Sequence, residues 1–190
     1  MNVNMKSAEI ITSIKLFIGF SILLGLVYPL AITGIAQAAM NKQANGSLVE
    51  LDGKIVGSSL IGQKFDKPEY FASRPSAVNY DAAGSGASNF GPINKKYIDQ
   101  VGERVVMIDS PSIPADMVLA SASGLDPHIS LKNANLQVPR VAKNRNLSEA
   151  KVKELVRENT DPNFIGLWGQ KGVNVLKLNI ALNTEANKGN

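Results

Sequence analysis

Residues Leu16 to Asn41 run for 26 positions without one charged side chain, and that run decides which solvent the rest of the chain meets. About 20 apolar residues span a bilayer as a helix, and ~18 without charge already mark a membrane segment. Lys15 and Lys42 bracket the run, where long cationic side chains reach the headgroups from either end. The alternative is a cleaved secretory signal, with Lys6 and Lys15 in its tail and Ala36-Gln37-Ala38 as the cleavage site. A signal's apolar region is ordinarily ~7–15 residues. Leu16–Ile32 is already longer, so a retained anchor is the expectation.

Orientation is not fixed by charge. Lys6 and Lys15 precede the run, Lys42 and Lys54 follow it, and the rule weakens when a long domain comes after the helix. The short tail before a following domain resembles an uncleaved signal and favours an inside amino terminus. Within the run Ser21, Gly25, Pro29, Thr33 and Gln37 recur every fourth residue. Small and polar residues at that spacing let helices approach and hydrogen-bond, although membrane helices tolerate Gly and Pro as ordinary composition. Such a row drifts by about 40° per step on a 3.6-residue helix. Pro29 lacks an amide donor and is expected to bend the helix.

The remainder of the chain is one domain's worth of residues. Without Lys6, Glu9 and Lys15 it carries 18 basic and 15 acidic side chains, a net of +3. No clustered basic face with stacking aromatics is visible, so nucleic acid is not an expected partner. Arg140, Lys143 and Arg145 read as a solvated helix face. The absence of cysteine fits either redox compartment.

Leu48–Leu51 and Lys54–Val56 flank Asp52-Gly53, a hairpin signal. From Gln63 to Pro92 the breakers Pro68, Pro75, Gly84, Gly86 and Gly91 predict a long irregular stretch, of a kind that is usually functional. Ile93, Tyr97, Val101 and Val105 predict a helix that buries one face. Asp116–Ala120 reads as a short strand, followed by a turn through Pro127. Ser130 and Ser148 are candidate N-caps, with Leu147 stapling onto Val152 and Glu149 pairing with Lys153. Alternation of Leu176, Leu178, Ile180 and Leu182 predicts a closing half-buried strand. The expected fold class is α+β: one amino-terminal transmembrane helix, then a single mixed domain with a small antiparallel sheet.

Catalytic motifs fall short. In Gly57-Ser-Ser-Leu-Ile-Gly62-Gln63-Lys64, Gln63 holds the phosphate-lysine position and Phe65 follows Lys64. Gly84-Ser-Gly86-Ala-Ser-Asn89 lacks a third glycine and a leading strand. Ser148-Glu-Ala-Lys151 matches S-x-x-K without the accompanying motifs, and the cap accounts for Ser148. His128 is the single histidine. With Ser121 or Ser123 it permits a hydrolase triad on paper, but no nucleophile elbow supports one. No metal set is expected.

Several ordered blocks carry a resemblance. They begin with Gly25-Leu-Val-Tyr28-Pro29, Thr33-Gly34-Ile-Ala-Gln37 and Gln43-Ala-Asn45-Gly46-Ser47, and continue with the Gly57–Gln63 block. Tyr70-Phe71, Arg74-Pro75-Ser76, Ser88-Asn89-Phe90-Gly91-Pro92 and Ala120-Ser-Ala-Ser-Gly124-Leu125-Asp126-Pro127 follow. The last are Gln137-Val-Pro139-Arg140-Val-Ala-Lys143-Asn-Arg145 and Val173-Asn174-Val175-Leu176 onward. Together they resemble the C subunit of Kdp-type potassium-transporting ATPases over nearly the whole chain.

That resemblance implies a non-catalytic subunit of a bacterial high-affinity potassium uptake complex. Implied partners are a channel-like A subunit that carries K⁺, a P-type ATPase B subunit that uses ATP and Mg²⁺, and a small single-helix F subunit. It implies a single pass of the inner membrane: residues 1–15 as a short cytoplasmic tail, 16–41 as the transmembrane helix and 42–190 as a periplasmic domain. On this reading the five-residue row packs on the transporting subunit. Arg74, Tyr80, Ser88 and Asn89, in the irregular stretch, are the expected partner contacts, with turn-stabilising hydrogen bonds as the other use of each. The family also carries a proposal that the C subunit acts as a catalytic chaperone, raising nucleotide binding by the ATPase, with Gln137 as a contact. A domain outside the membrane does not reach cytosolic ATP directly. No cofactor is expected on this chain itself.

Overall fold

The computed structural model describes residues 7–51, 53–162 and 169–188, with side chains as far as residue 186. It divides into two compact units, Met1–Ser47 and Leu48–Asn190.

The first unit is helical. α1 (Ser7–Ile22), a π-helical turn (Leu23–Val27) and α2 (Tyr28–Ala39) form one uninterrupted helix of 33 residues, followed by the short α3 (Asn41–Ala44). At 1.5 Å per residue the long helix measures about 50 Å, more than the ~30 Å of a bilayer's hydrocarbon core. None of its window of highest apolarity is buried within the chain. Phe17, Leu24, Leu30 and Ile35 are all exposed. Pro29 produces the π-turn: the Tyr28 N–H closes on Leu23 O, five residues back. The extra residue in that turn accommodates a ring that has no N–H to give.

The second unit opens with the expected hairpin, β1 (Leu48–Leu51) antiparallel to β2 (Lys54–Ser58), with a bulge between Val49 and Glu50. Asp52 of the turn lies outside the described residues. Gly53 has φ +73°, the left-handed conformation for which the sequence pattern selects glycine. Residues 63–92 contain neither helix nor strand, as predicted. α4 (Lys95–Val106) follows, capped by the Asn94 side chain, then the single turn α5 (Ala115–Val118). β3 (His128–Ser130), β4 (Thr160–Asp161) and β5 (Gly172–Asn174) make an antiparallel sheet in the order β3-β5-β4. α6 (Leu131–Arg145), α7 (Glu149–Glu158) and α8 (Val175–Lys188) complete the unit.

Both predicted serine caps form: Ser130 Oγ accepts from Asn133 N and Ser148 Oγ from Lys151 N. Asn146 ends α6 in the left-handed conformation, φ 54°. Leu147 packs against the cluster that includes Val152, and Lys153 meets Glu149 at 3.3 Å. The core joins Val138 and Val141 of α6, Val152, Leu155 and Val156 of α7, Leu178 and Leu182 of α8, and Ile129 and Val173 of the sheet. Phe71 from the irregular stretch completes it.

Two local expectations are overturned. Val175–Leu182 is helix, not strand: Val175, Leu178, Asn179 and Leu182 are buried together, at spacings of three and four. Asp116–Ala120 is not a strand, because Pro114 starts a helical turn and Asp116 turns its carboxylate to Ser130 and Asn133. His128 opens β3 directly after the stretch that ends at Pro127. The predicted helix near Tyr97 exists, but it has no fully buried residue. Ile93 is 91 % exposed and Val105 39 %, while Tyr97 and Val101 are half-buried. A row spaced by four rotates about 40° per step, so over three steps its ends leave the face that its middle buries.

Candidate functional site

On the long apolar helix, Ser21, Gly25, Pro29, Thr33 and Gln37 lie along its uncovered surface. Thr33 Oγ1 donates back to Pro29 O at 2.8 Å, using its hydrogen on the turn that the proline loosens. Gln37 collects the amides of Asn41 and Asn45 on its Oε1 at 2.9 and 3.1 Å, and returns Nε2 to Asn45 Oδ1 at 3.2 Å. This polar knot fastens the end of the helix to α3. A Cβ on Gly25 would meet nothing within 4 Å, so close approach of another surface there is open.

In the second unit the stretch 63–92 is irregular yet firmly held, because buried amides stand in for a strand partner. Asn179 of α8, 2 % exposed, accepts Phe71 N at 2.9 Å and donates to Phe71 O at 3.0 Å. Gln137 of α6, 3 % exposed, accepts Ala72 N at 2.8 Å and donates to Ala72 O at 3.3 Å. Each side chain thereby pairs one residue's N–H and C=O, as a neighbouring strand would. Arg140 reaches Pro68 O at 2.6 Å and Gln137 Oε1 at 2.7 Å. Arg145 reaches Glu69 O at 2.7 Å and lies 4.7 Å over the Tyr70 ring. These arginines clamp the strap and do not form the solvated face the sequence suggests; only Lys143 of that trio is exposed. Burial pulls the Arg140 guanidinium below its ordinary range.

The strap then runs into a polar cleft of ≈ 360 Å³ lined by Arg74, Asp116, Asp126, His128, Ser130 and Lys171, among others. Arg74 Nη1 donates to Asp126 Oδ2 at 2.8 Å, whereas its buried Nε has no hydrogen-bond partner among the described residues. Asp126 Oδ1 accepts His128 N at 2.9 Å. The imidazole Nε2 meets Asp161 Oδ2 at 2.8 Å, and Asp161 Oδ1 lies 3.6 Å from Lys177 Nζ. Asp116 takes Ser130 N, Ser130 Oγ and Asn133 Nδ2 at 2.7, 2.9 and 3.0 Å. His128 is thus engaged by a carboxylate, and Ser123 Oγ accepts Leu125 N. Both side chains serve the local structure.

Of the four expected contact residues, two are brought together. Tyr80 OH donates to Arg74 O at 2.8 Å, and Ser76 Oγ caps the turn by accepting Val78 N and Tyr80 N. Burial above all, and then the Asp66 carboxylate, push the Tyr80 hydroxyl up, against a smaller pull down from Arg104. Asn79, Tyr80 and Asn89 hold φ of 51°, 59° and 55°, and the strap therefore turns sharply at both places. Asn89 is exposed and Ser88 half-buried, and neither side chain makes a hydrogen bond among the described residues. Gln137 faces inward onto the strap and Arg140, with its Nε2 also on Asn133 Oδ1 at 2.7 Å. Sequence reasoning missed Asn179, Asn133 and the role of Asp116. The available signal was Asn133 and Gln137 four residues apart among apolar neighbours on one helix.

Comparison with known proteins finds relatives over most of the chain. The family described as K⁺-transporting ATPase, c chain, matches residues 10–184. The chain is 49 % identical over 187 residues to the potassium-transporting ATPase KdpC subunit of Caldanaerobacter subterraneus subsp. tengcongensis, covering 95 % of this chain and 97 % of that one. It is 48 % identical over 184 residues to the subunit of the same name from Geobacter sulfurreducens, covering 93 % and 97 %. For the Mycobacterium tuberculosis subunit the figures are 44 % over 183 residues, 92 % and 97 %. The chain belongs to the KdpC family, the c chain of K⁺-transporting ATPases.

Proposed function

We propose that the chain is an accessory subunit that assembles and steadies a potassium uptake ATPase from the outer face of the bacterial inner membrane. The observation that carries this reading is a two-part design: a 33-residue apolar helix with no cover of its own, and a separate unit with a closed apolar core. In water such a helix surface is costly, about 25 cal/mol for each Å² of apolar area. Lipid and a partner's helices remove that cost. The helix crosses the membrane once with its amino terminus in the cytoplasm, and the unit from Leu48 onward works in the periplasm. Ser21, Gly25, Pro29, Thr33 and Gln37 form the helix's packing face. Arg74, Tyr80, Ser88 and Asn89 present the strap to the channel-like A subunit, and the F subunit is a further neighbour. K⁺ is carried by the A subunit, and ATP with Mg²⁺ is consumed on the B subunit.

Arg74 supports the contact assignment best, since Asp126 takes its Nη1, the side chain stays partly exposed, and guanidinium donors suit recognition of carbonyls and carboxylates. Co-purification of the complex from bacterial membranes, with and without Leu16–Asn41, tests the anchor. Complex yield and K⁺ uptake are expected to collapse without the segment, and their retention would sink the anchoring claim. Arg74→Ala with Asn89→Ala tests the strap; unchanged yield and transport would show that the contacts lie elsewhere.

A further inference from the structure

On α7, away from the strap, a cavity of ≈ 370 Å³ opens beside the start of α6 and β4. Leu131, Val156 and Pro162 give it apolar walls, while Lys153, Arg157 and Lys171 stand around it. No carboxylate lines it among the described residues. Lys153 is answered by Glu149 at 3.3 Å. Arg157 and Lys171 are both exposed, and their side chains form no hydrogen bond or ion pair among the described residues. Asp161, next to Thr160 of the lining, is turned towards His128 and Lys177 instead.

Two unspent cations beside an apolar wall select for an occupant that is anionic and apolar at once. Hydrocarbon alone leaves the cations without a partner, and a hydrated anion leaves the wall unused. An arginine fork matches a carboxylate in bidentate fashion. Arginine is also over-represented among the residues that dominate protein interfaces. The volume is at the lower end of the ~300–1,000 Å³ usual for ligand sites, enough for one or two side chains. We propose that this cavity receives a segment of another subunit of the same complex, an Asp or Glu flanked by an aromatic or branched aliphatic residue. The proposal rests on the reading of the chain as an assembled subunit, and it adds a second docking point, which shares Lys171 with the cleft beside Arg74.

The test uses the intact complex expressed with its sibling subunits. Arg157→Glu with Lys171→Glu is expected to lower retention of this chain in the purified complex about tenfold, the equivalent of about 1.4 kcal/mol, and Arg157→Glu alone, which leaves the Arg74 cleft untouched, is expected to lower it in the same direction. For the unaltered chain, retention is expected to fall as salt rises, because exposed charge pairs are screened. A photo-crosslinking residue at Asn135, which also lines the cavity, is expected to capture a sibling-subunit peptide bearing a carboxylate beside an apolar residue. Thermal unfolding of the variant checks its fold. If charge reversal itself destabilises the domain, Arg157→Gln with Lys171→Gln gives the same reading with less disturbance. Retention equal to the unaltered chain overturns the proposal, as does a crosslink confined to anionic lipid or to a peptide without a carboxylate. Loss of the complex on removing Leu16–Asn41, together with unaltered retention of the charge variant, keeps the subunit reading and removes this one.

Discussion

Gln137→Ala removes four hydrogen bonds at once. Oε1 accepts Ala72 N at 2.8 Å and Arg140 Nη2 at 2.7 Å; Nε2 donates to Asn133 Oδ1 at 2.7 Å and to Ala72 O at 3.3 Å. Arg140 keeps its bond to Pro68 O, so the guanidinium is not stranded. Ala72 is half-buried, and water reaches its main chain in part; Asn133, 1 % exposed, loses its acceptor's donor outright. A buried polar group left unpaired costs about 1–3 kcal/mol, and two to three such groups with partial hydration give a loss of roughly 3–5 kcal/mol. Against a domain stability of about 5–15 kcal/mol, that is severe. For a domain of this size it corresponds to a fall in melting temperature of roughly 10–20 °C.

Urea and thermal unfolding of the whole chain in detergent measure this, with Asn144→Ala as the control. The Asn144 side chain is exposed and, among the described residues, bonds only to Arg140 O, so its loss is expected to cost less than about 0.5 kcal/mol. A Gln137→Ala variant within about 0.5 kcal/mol of the unaltered chain would refute the strap-holding role. The same variant, assembled into the complex, separates the two uses of Gln137. A changed ATP affinity with undiminished domain stability would assign the amide to nucleotide after all.

Asn179→Ala strands both main-chain groups of the fully buried Phe71; the expected loss is about 3–5 kcal/mol in the same assay, and Asn179→Asp is expected to recover only the bond from Phe71 N. Gly124→Ala is expected to cost roughly 2–4 kcal/mol, since Gly124 has φ +68° and a Cβ there would lie 2.5 Å from Val78 Cγ2; a cost below about 1 kcal/mol would mean the strap gives way easily. The raised Tyr80 hydroxyl fixes a sign: the folded chain keeps that proton after the unfolded chain has released it. Its contribution is therefore complete below pH ~10 and is lost as pH rises from there through the higher folded value. The urea midpoint of the unaltered chain is expected to fall more steeply above pH ~10 than that of Tyr80→Phe. At neutral pH Tyr80→Phe is expected to cost about 1 kcal/mol for the lost bond to Arg74 O, and parallel pH profiles would reject the assignment.

The long apolar helix, the hairpin, both serine caps and the irregular stretch were legible because each follows from chemistry within a few residues. An uncharged run, a turn residue with positive φ, a hydroxyl beside an orphan amide and a cluster of Pro and Gly need no distant partner to act. The family, too, was readable from ordered blocks of residues. Tertiary structure decided what local pattern left degenerate. Leu176, Leu178, Ile180 and Leu182 alternate as a strand would, yet Val175, Leu178, Asn179 and Leu182 also share one helix face. The choice fell to helix because that face holds Phe71 through Asn179 and closes the core against α6 and α7. Gln137 and Asn179 became clamps, and Arg140 and Arg145 became tethers, only when a strap some 65 to 108 positions away in sequence was laid across them. Hydrogen bonds over such distances have no periodicity to betray them, because the partner is a main-chain group that every residue carries alike.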